Sequence, residues 1–376
     1  MIGNYKNGTL GQAAITDIVF CHLLNDASGS PRVLRGVIKA LGSENRRAKL
    51  FIGSAGRGVL EQCGIPVSRY WYFRSRFKII TLLTFLSSQF FLFFALARDR
   101  SIERNAVIYV NTLLPFGAAL FGKLTGRKVI YHMHEIFIQP KPLRFFLCWI
   151  ARLTSSKNIY VSKAHVLALP IAGVPAVQIY NSLDEGFSTV AYHSVYQYRR
   201  DGVFNVLMIA SLRDYKGVPE LLSLVSILEH RKDIRFDIVV NDEQVAIDRY
   251  FSGKVRPTNL IVHPRTANPA AFYERASLVL NLSRVDVCVE TFGLTILEAM
   301  AFGVPVIVPP VGGPAELISD AVQGFAVDSR NTALLSERLL KLADNPDLCN
   351  TMSMHARPRA QEFSFPVFAA ALRKIF

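Results

Sequence analysis

Apolar residues along this chain fall into short runs separated by longer amphipathic stretches. Ile15–Leu24, Lys49–Gly53, Ala106–Val110, Lys128–His132, Asn158–Val161 and Val177–Tyr180 read as strands. Between them, Pro31–Leu41 reads as a helix that opens on proline and stops at Gly42, and Phe116–Leu124 as another. From 186 to 201 the pattern lapses into a polar, tyrosine-rich stretch, which is expected to be a linker. The alternation then restarts, with strands at Phe204–Ile209, Phe236–Val240, Leu260–His263, Leu278–Leu282 and Val304–Val308. Helices Pro219–His230, Pro269–Arg275 and Leu294–Phe302 separate them, the last stopped by Gly303. Apolar strands that alternate with helices predict parallel sheets covered on both faces. The expected fold class is therefore α/β, with two doubly wound, Rossmann-like domains at 1–185 and 202–362 and a cleft between them. Ligands of such sheets bind beyond the carboxyl ends of the strands.

Composition narrows the class of protein. The chain has 376 residues, 51% hydrophobic and 19% charged, which suits two cored domains and excludes a disordered chain. Five scattered cysteines without a CxxC pair make a zinc site or disulfide scaffold unexpected and point to a reducing compartment. The opening residues MIGNYKNGTLGQAAITD lack the apolar core of a secretion signal.

Charge is unevenly placed. Residues 1–190 hold 23 Lys and Arg against nine acidic residues, whereas residues 191–376 hold 20 of each, so the first half carries the whole net charge of +14. Such asymmetry points to a polyanionic partner: nucleic acid, an anionic membrane or a phosphorylated substrate. No nucleic-acid motif accompanies the charge, so nucleic acid is not expected. Ile79–Ala97 is a nineteen-residue stretch without charge, preceded by Arg74, Arg76 and Lys78 and followed by Arg98 and Arg100. Three placements fit it: a buried core helix, a helix in the plane of a membrane surface, or a span. The basic, apolar segment Lys141–Arg152 adds to the membrane-surface reading.

The chemistry concentrates between Glu290 and Glu316. A strand is expected to end there, and Phe292-Gly293 turns the chain into a helix whose first N–H groups suit a diphosphate. Gly293 lets a phosphate approach the backbone, followed by Leu294 and Thr295. Glu298, one to two turns in, can accept two hydrogen bonds from a ribose diol. Gly312-Gly313 opens a second turn toward the same cleft.

Taken together, Glu290-Thr-Phe-Gly-Leu-Thr-Ile-Leu-Glu298-Ala-Met-Ala-Phe-Gly303-Val-Pro305, then Gly312-Gly313-Pro-Ala-Glu316, resembles the Glu-x7-Glu signature of the retaining glycosyltransferases of family 4. That family has the GT-B architecture. Ser211-Leu-Arg-Asp-Tyr-Lys216-Gly217 resembles its basic phosphate loop, with Ser211 in place of the usual arginine and Arg213 two positions later. Tyr131-His-Met-His134-Glu135 ends a strand where the family often has a histidine facing the transferred sugar. Asn25–Ser30, with Gly29 and Ser30, stands at the family's first loop, and Tyr180–Asp184 resembles the segment closing its first domain.

The resemblance implies a nucleoside-diphosphate sugar donor, with GDP-mannose favoured, and no other cofactor. Its diphosphate would lie on Gly293, Leu294 and Thr295 with Lys216 and Arg213. Glu298 would hold the ribose, Glu290 the donor sugar, and Arg265, in the loop His263–Thr266, the base. The acceptor would enter near Gly29, Ser30 and His134. Glu290, His134 and Lys216 form the expected catalytic set. Front-face attack is expected, and a covalent Glu290 intermediate is the alternative. No Asp-x-Asp motif is present, so no metal-bridged diphosphate is expected. The implied role is transfer to a lipid-linked or saccharide acceptor in cell-surface polysaccharide synthesis. The implied location is the cytoplasmic face of the membrane, with the basic first domain contacting anionic lipid. A terminal helix in residues 363–376 would cross back to the first domain. Two other classes compete: a nucleotide-sugar 2-epimerase of the same architecture, and a non-catalytic sugar-nucleotide-binding subunit.

Overall fold

The computed structural model describes residues 17–42 and 47–376. The N-terminal segment read above for a secretion signal lies outside them up to residue 16, as do the first two residues of the expected strand Ile15–Leu24. Thirteen strands and fourteen α-helices are described. In the first half these are β1 (Ile18–His22), α1 (Gly29–Gly42), β2 (Ala48–Gly53), β3 (Val67–Tyr70), α2 (Lys78–Arg98), β4 (Val107–Asn111) and α3 (Phe116–Leu124). They continue with β5 (Val129–Met133), α4 (Lys141–Thr154), β6 (Lys157–Tyr160), α5 (Lys163–Ala168), β7 (Ala176–Gln178) and α6 (Glu185–His193). The second half comprises β8 (Phe204–Ala210), α7 (Val218–Ile227), β9 (Ile234–Val240), α8 (Gln244–Phe251), β10 (Leu260–His263), α9 (Ala270–Arg275) and β11 (Leu278–Leu280). It ends with α10 (Leu294–Ala301), β12 (Val306–Val308), α11 (Gly313–Leu317), β13 (Gly324–Ala326), α12 (Thr332–Ala343), α13 (Pro346–Gln361) and α14 (Phe365–Arg373).

Two parallel sheets result. The first runs β3-β2-β1-β4-β5-β6-β7, and the second β10-β9-β8-β11-β12-β13. β1, β4 and β5 are buried at every position, as strands sandwiched between helix layers must be. Each sheet reverses its winding once, between β1 and β4 and between β8 and β11. At those two points adjacent loops leave toward opposite faces, which opens a crevice at the carboxyl ends.

Three details bear on the sequence reading, and the first differs from it. The stretch 186–201 contains most of α6, capped by the Asp184 carboxylate, which accepts the Gly186 N–H at 3.0 Å. Only Ala191 of α6 is buried, so its apolar face is too narrow to register as a period. The helix α2 is a surface helix. Phe85, Ser88, Gln89, Leu92 and Leu96 turn inward, while Leu83, Phe90 and Phe94 stay exposed. It packs closely on α3: the Gly117 N–H donates to Gln89 Oε1 at 3.1 Å, and a Cβ on Gly117 would come within 2.3 Å of the Gln89 carbonyl oxygen. Finally, α14 packs on α1, with Phe368, Ala369 and Leu372 in the same apolar cluster as Val33, Leu34 and Val37.

Candidate active site

The cleft between the sheets has a volume of about 460 Å³ and is lined from both domains. That volume lies within the range of small-molecule sites. From the first domain come Gly29 and Ser30 at the start of α1, Arg32 one turn in, and His134 and Glu135 after β5. From the second come Lys216, Arg265, Asn281, Ser283, Glu290, Gly293, Leu294, Thr295 and Glu298. Ten of the eleven residues expected from sequence thus share one cavity. Arg213 does not line it; its side chain is exposed, one residue before the turn Asp214–Lys216.

Glu290 lies on the loop between β11 and α10, held by three donors. Lys216 Nζ stands 3.2 Å from Oε1, while Asn281 Nδ2 at 2.9 Å and Ser283 Oγ at 2.8 Å donate to Oε2. Burial opposes ionisation of this carboxyl, but Lys216 and the two side-chain donors outweigh it and hold the pKa below the usual glutamate value. Burial likewise opposes the charge on Lys216, and Glu290 beside it keeps the ammonium pKa above the ordinary lysine value. The result is an ordered ion pair at neutral pH, with the cation facing the cleft.

The start of α10 lies beside this pair. Gly293 has φ +105°, a left-handed conformation that a side chain strains, and a Cβ there would meet Ile296 at 2.7 Å. The first bond of the helix joins the Ile296 N–H to the Gly293 carbonyl. The N–H groups of Leu294 and Thr295 therefore precede the intrahelical ladder, as an anion site requires.

Glu298 is 2% exposed. Tyr273 OH donates to its Oε2 at 2.6 Å, and Arg32 of the opposite domain pairs with its Oε1. The Glu298 charge is the first reason that the Arg32 pKa lies above its usual value. Two further contacts tie the domains. Thr291 Oγ1 donates to the His134 carbonyl at 3.1 Å. Glu316, the last residue of the motif, accepts the Lys163 and Ala164 N–H groups at 3.0 and 2.6 Å and the Tyr180 hydroxyl at 2.8 Å.

His134 Nε2 lies 3.0 Å from Asn111 Oδ1. The Asn111 amide nitrogen faces the Ser30 carbonyl at 3.2 Å and His22 Nδ1 at 3.1 Å, so its carbonyl oxygen is the end left to accept from His134. That leaves Nδ1 of His134 as the acceptor. Burial, and then the neighbouring His132, His165 and His22, place the His134 pKa well below the ordinary value, so the ring is neutral at neutral pH. The adjacent Glu135 is pushed up to about 7 by burial.

Elsewhere in the expected base loop, His263 turns away from the cleft to hydrogen-bond Asp237 at 2.6 Å, whereas Arg265 and Thr266 line the cavity. Arg265 donates to the Asn241 carbonyl at 3.1 Å.

Sequence reasoning missed Arg32, Asn111, Glu135, Tyr273, Asn281 and Ser283. Arg32 had a usable signal: it follows the loop at the carboxyl end of β1 by two residues, on the first turn of a helix that starts in the cleft. Asn281 and Ser283 had a weaker one, as polar residues at the tip of an apolar strand.

Comparisons with known proteins bear on the family and the fold. Residues 198–359 match the family model described as glycosyl transferases group 1. Sucrose-phosphate synthase 4 of Arabidopsis thaliana is 27% identical over 165 residues, covering 42% of this chain and 15% of that protein. An uncharacterised glycosyltransferase of Methanocaldococcus jannaschii is 27% identical over 208 residues, 53% of this chain and 56% of its own length. The D-inositol 3-phosphate glycosyltransferase of Salinispora arenicola is 32% identical over 140 residues, 33% of this chain and 30% of its length. The chain thus matches only 15%, 56% and 30% of the lengths of these three relatives. Among solved structures, Anabaena Alr3699/HepE in complex with UDP and glucose superposes with a TM-score of 0.74 at 19% identity, over 96% of this chain and 99% of that one. A G117R mutant of S. aureus TarM, in complex with Fondaparinux, alpha-GlcNAc-glycerol and UDP, superposes with a TM-score of 0.75 at 12% identity, again over 96% and 99%. The two domains therefore have the GT-B fold, and the second of them, over residues 198–359, matches the group 1 glycosyl transferases.

Proposed function

We propose that this protein is a metal-independent, retaining glycosyltransferase of the family 4 pattern. In this reading it moves a sugar from a nucleoside-diphosphate sugar to a lipid-linked saccharide at the cytoplasmic face of a membrane, in cell-surface polysaccharide synthesis. One observation carries the reading: a cation, a helix N-terminus and two glutamates from one motif, the half-buried Glu290 and the buried Glu298, converge on a single interdomain cleft. Lys216 and the N–H groups of Leu294 and Thr295 offset charge on the departing diphosphate, where such groups contribute most to rate. Glu298 accepts from the ribose diol, sharing its carboxylate with Arg32 and Tyr273. Neutral His134 offers an acceptor to a sugar hydroxyl.

The reaction breaks the bond between the sugar C1 and the β-phosphate oxygen. The acceptor oxygen bonds C1 on the same face, and its proton passes to the departing phosphate. Glu290 is occupied by three donors and makes a poor nucleophile, which favours front-face attack over a covalent intermediate. The neighbours' bound UDP makes UDP-glucose a donor to test beside GDP-mannose.

The test is transfer from each donor to a membrane lipid extract and to free saccharides, with the product anomer read by NMR. The account expects retention of the donor's anomeric configuration and faster transfer to the lipid-linked acceptor. An inverted product would overturn the mechanism, and equal rates with water-soluble acceptors would overturn the acceptor class.

A further inference from the structure

Every exposed phenylalanine and tryptophan among the described residues lies between Trp71 and Trp149. Both tryptophans of the chain are among them. On α2, Phe90 and Phe94 are 69% and 51% exposed and stand one turn apart, opposite the inward stripe of Phe85, Leu92 and Leu96. Trp71 lies against Phe91 with ring centroids 5.3 Å apart. On α4, Phe145 and Trp149 are 65% and 55% exposed, again one turn apart. The helix α3 lies between the two ridges, with Phe121 against Phe93 of α2 and Phe116 against Phe146 of α4. The ridges therefore belong to one face of the first domain.

The same segment is strongly basic. Residues 71–152 hold twelve Lys and Arg against three acidic residues. Of those three, Asp99 pairs with Lys49, Glu103 pairs with Arg47, and Glu135 lines the cleft. Exposed aromatic rows this long mark an interaction surface. A second copy would bring the same positive charge face to face. A bilayer with anionic headgroups offers both an apolar depth for the rings and a countercharge for the rim.

We propose that the α2–α4 face is an in-plane docking surface for an anionic bilayer. The aromatic ridges enter the boundary between headgroups and acyl chains, and Arg74, Arg76 and Lys78 lie on the headgroups. Although α2 is long and apolar enough to span, its inner stripe and Gln89 are engaged by α3, so it lies along the surface. A groove between Asn25-Asp26 and Trp71–Arg74 joins this face to the loop that leads into the cleft at Ala27–Ser30. It gives a membrane-borne acceptor a route inward, and this last step alone rests on the function proposed above.

The tryptophans supply the readout. Full-length protein is mixed with vesicles of phosphatidylcholine alone or of phosphatidylcholine and phosphatidylglycerol in a two-to-one ratio. Expected are a blue shift and quenching by brominated lipid with the anionic vesicles only, weakening as salt rises. Combined R74E, R76E and K78E substitution lowers partitioning by about 100-fold or more, from roughly fivefold per cation. Combined F90S and F94S substitution reduces partitioning while keeping the charge. None of these residues lines the cleft, so both variants keep the wild-type melting temperature shift with donor, which separates docking from folding and from donor binding. No spectral change with anionic vesicles, equal binding to both vesicles, tryptophan protection by self-association without lipid, or resistance to carbonate extraction as for a span would each overturn the proposal. Loss of transfer with docking intact would strike only the proposed function.

Discussion

Removing Lys216 tests the electrostatic core of the site. Its ammonium stands 3.2 Å from Glu290, and both side chains are only about a fifth exposed, at 23% and 20%. At an effective dielectric of about 20, the attraction at that distance is about 5 kcal/mol. Substituting Lys216→Met leaves a carboxylate in the cleft that keeps Asn281 and Ser283 but loses its countercharge. Stranding one partner of a fully buried pair costs about 3–5 kcal/mol. Partial exposure and the two remaining donors bring the expected loss to about 2–3 kcal/mol. The Glu290 pKa then rises, so the variant's deficit shrinks as the carboxyl protonates toward acid pH. The double variant Lys216→Met, Glu290→Gln removes both charges and recovers at least half of the loss. Urea unfolding at pH 5 and 8 for wild type, both single variants and the double variant completes the cycle. A Lys216→Met cost below about 0.5 kcal/mol, or a double variant no better than the sum of the singles, refutes the coupling. Transfer should fall by about 100- to 1,000-fold in Lys216→Met, as for loss of one charge-stabilising group.

Glu298→Gln should abolish discrimination between a nucleoside diphosphate and its 2′-deoxy analogue; the wild type should prefer the ribose form by about 10- to 100-fold, read by calorimetry. Arg32→Met removes an interdomain ion pair, so the donor-free scattering radius should grow and donor should reverse the change; an unchanged radius argues against a latch. Glu135 is held at about 7, above its unfolded value, so the folded state binds more protons than the unfolded state between about pH 4.5 and 7, and its stability contribution is lost as pH rises through that window. Glu135→Gln should therefore gain up to roughly 3 kcal/mol relative to wild type on going from pH 5 to pH 8, measured by urea unfolding, and a pH-independent difference would count against it.

Much of this architecture is legible along the chain because parallel strands buried on both faces are apolar along most of their length. Residues 107–110 and 129–131 show this directly, while the buried polar Asn111 and His132 stand at or near the carboxyl ends that face the cleft. The edge strand Val67–Tyr70 went unread because an exposed edge tolerates Ser68 and Arg69. The composition of α2 was plain, but its burial was not: apolar residues occupy both its inner and outer sides, so no helical period separates them. In the cleft, the Glu290–Glu298 string is local and could be read as a unit. The partners of those glutamates come from elsewhere in the fold. Arg32 reaches Glu298 from 266 positions away and Lys216 reaches Glu290 from 74. Arg213 shows the converse: proximity in sequence to the phosphate loop did not bring its side chain into the cavity, because the turn Asp214–Lys216 directs it outward.

The most direct test of the central claim is donor binding by thermal shift, with a panel of nucleoside-diphosphate sugars run against wild type, Glu298→Ala and Lys216→Ala. The account predicts a rise in melting temperature with one donor class and its loss in both variants, each compared with its own donor-free melting point. A shift that survives in both variants would place the nucleotide outside this cleft and contradict the account.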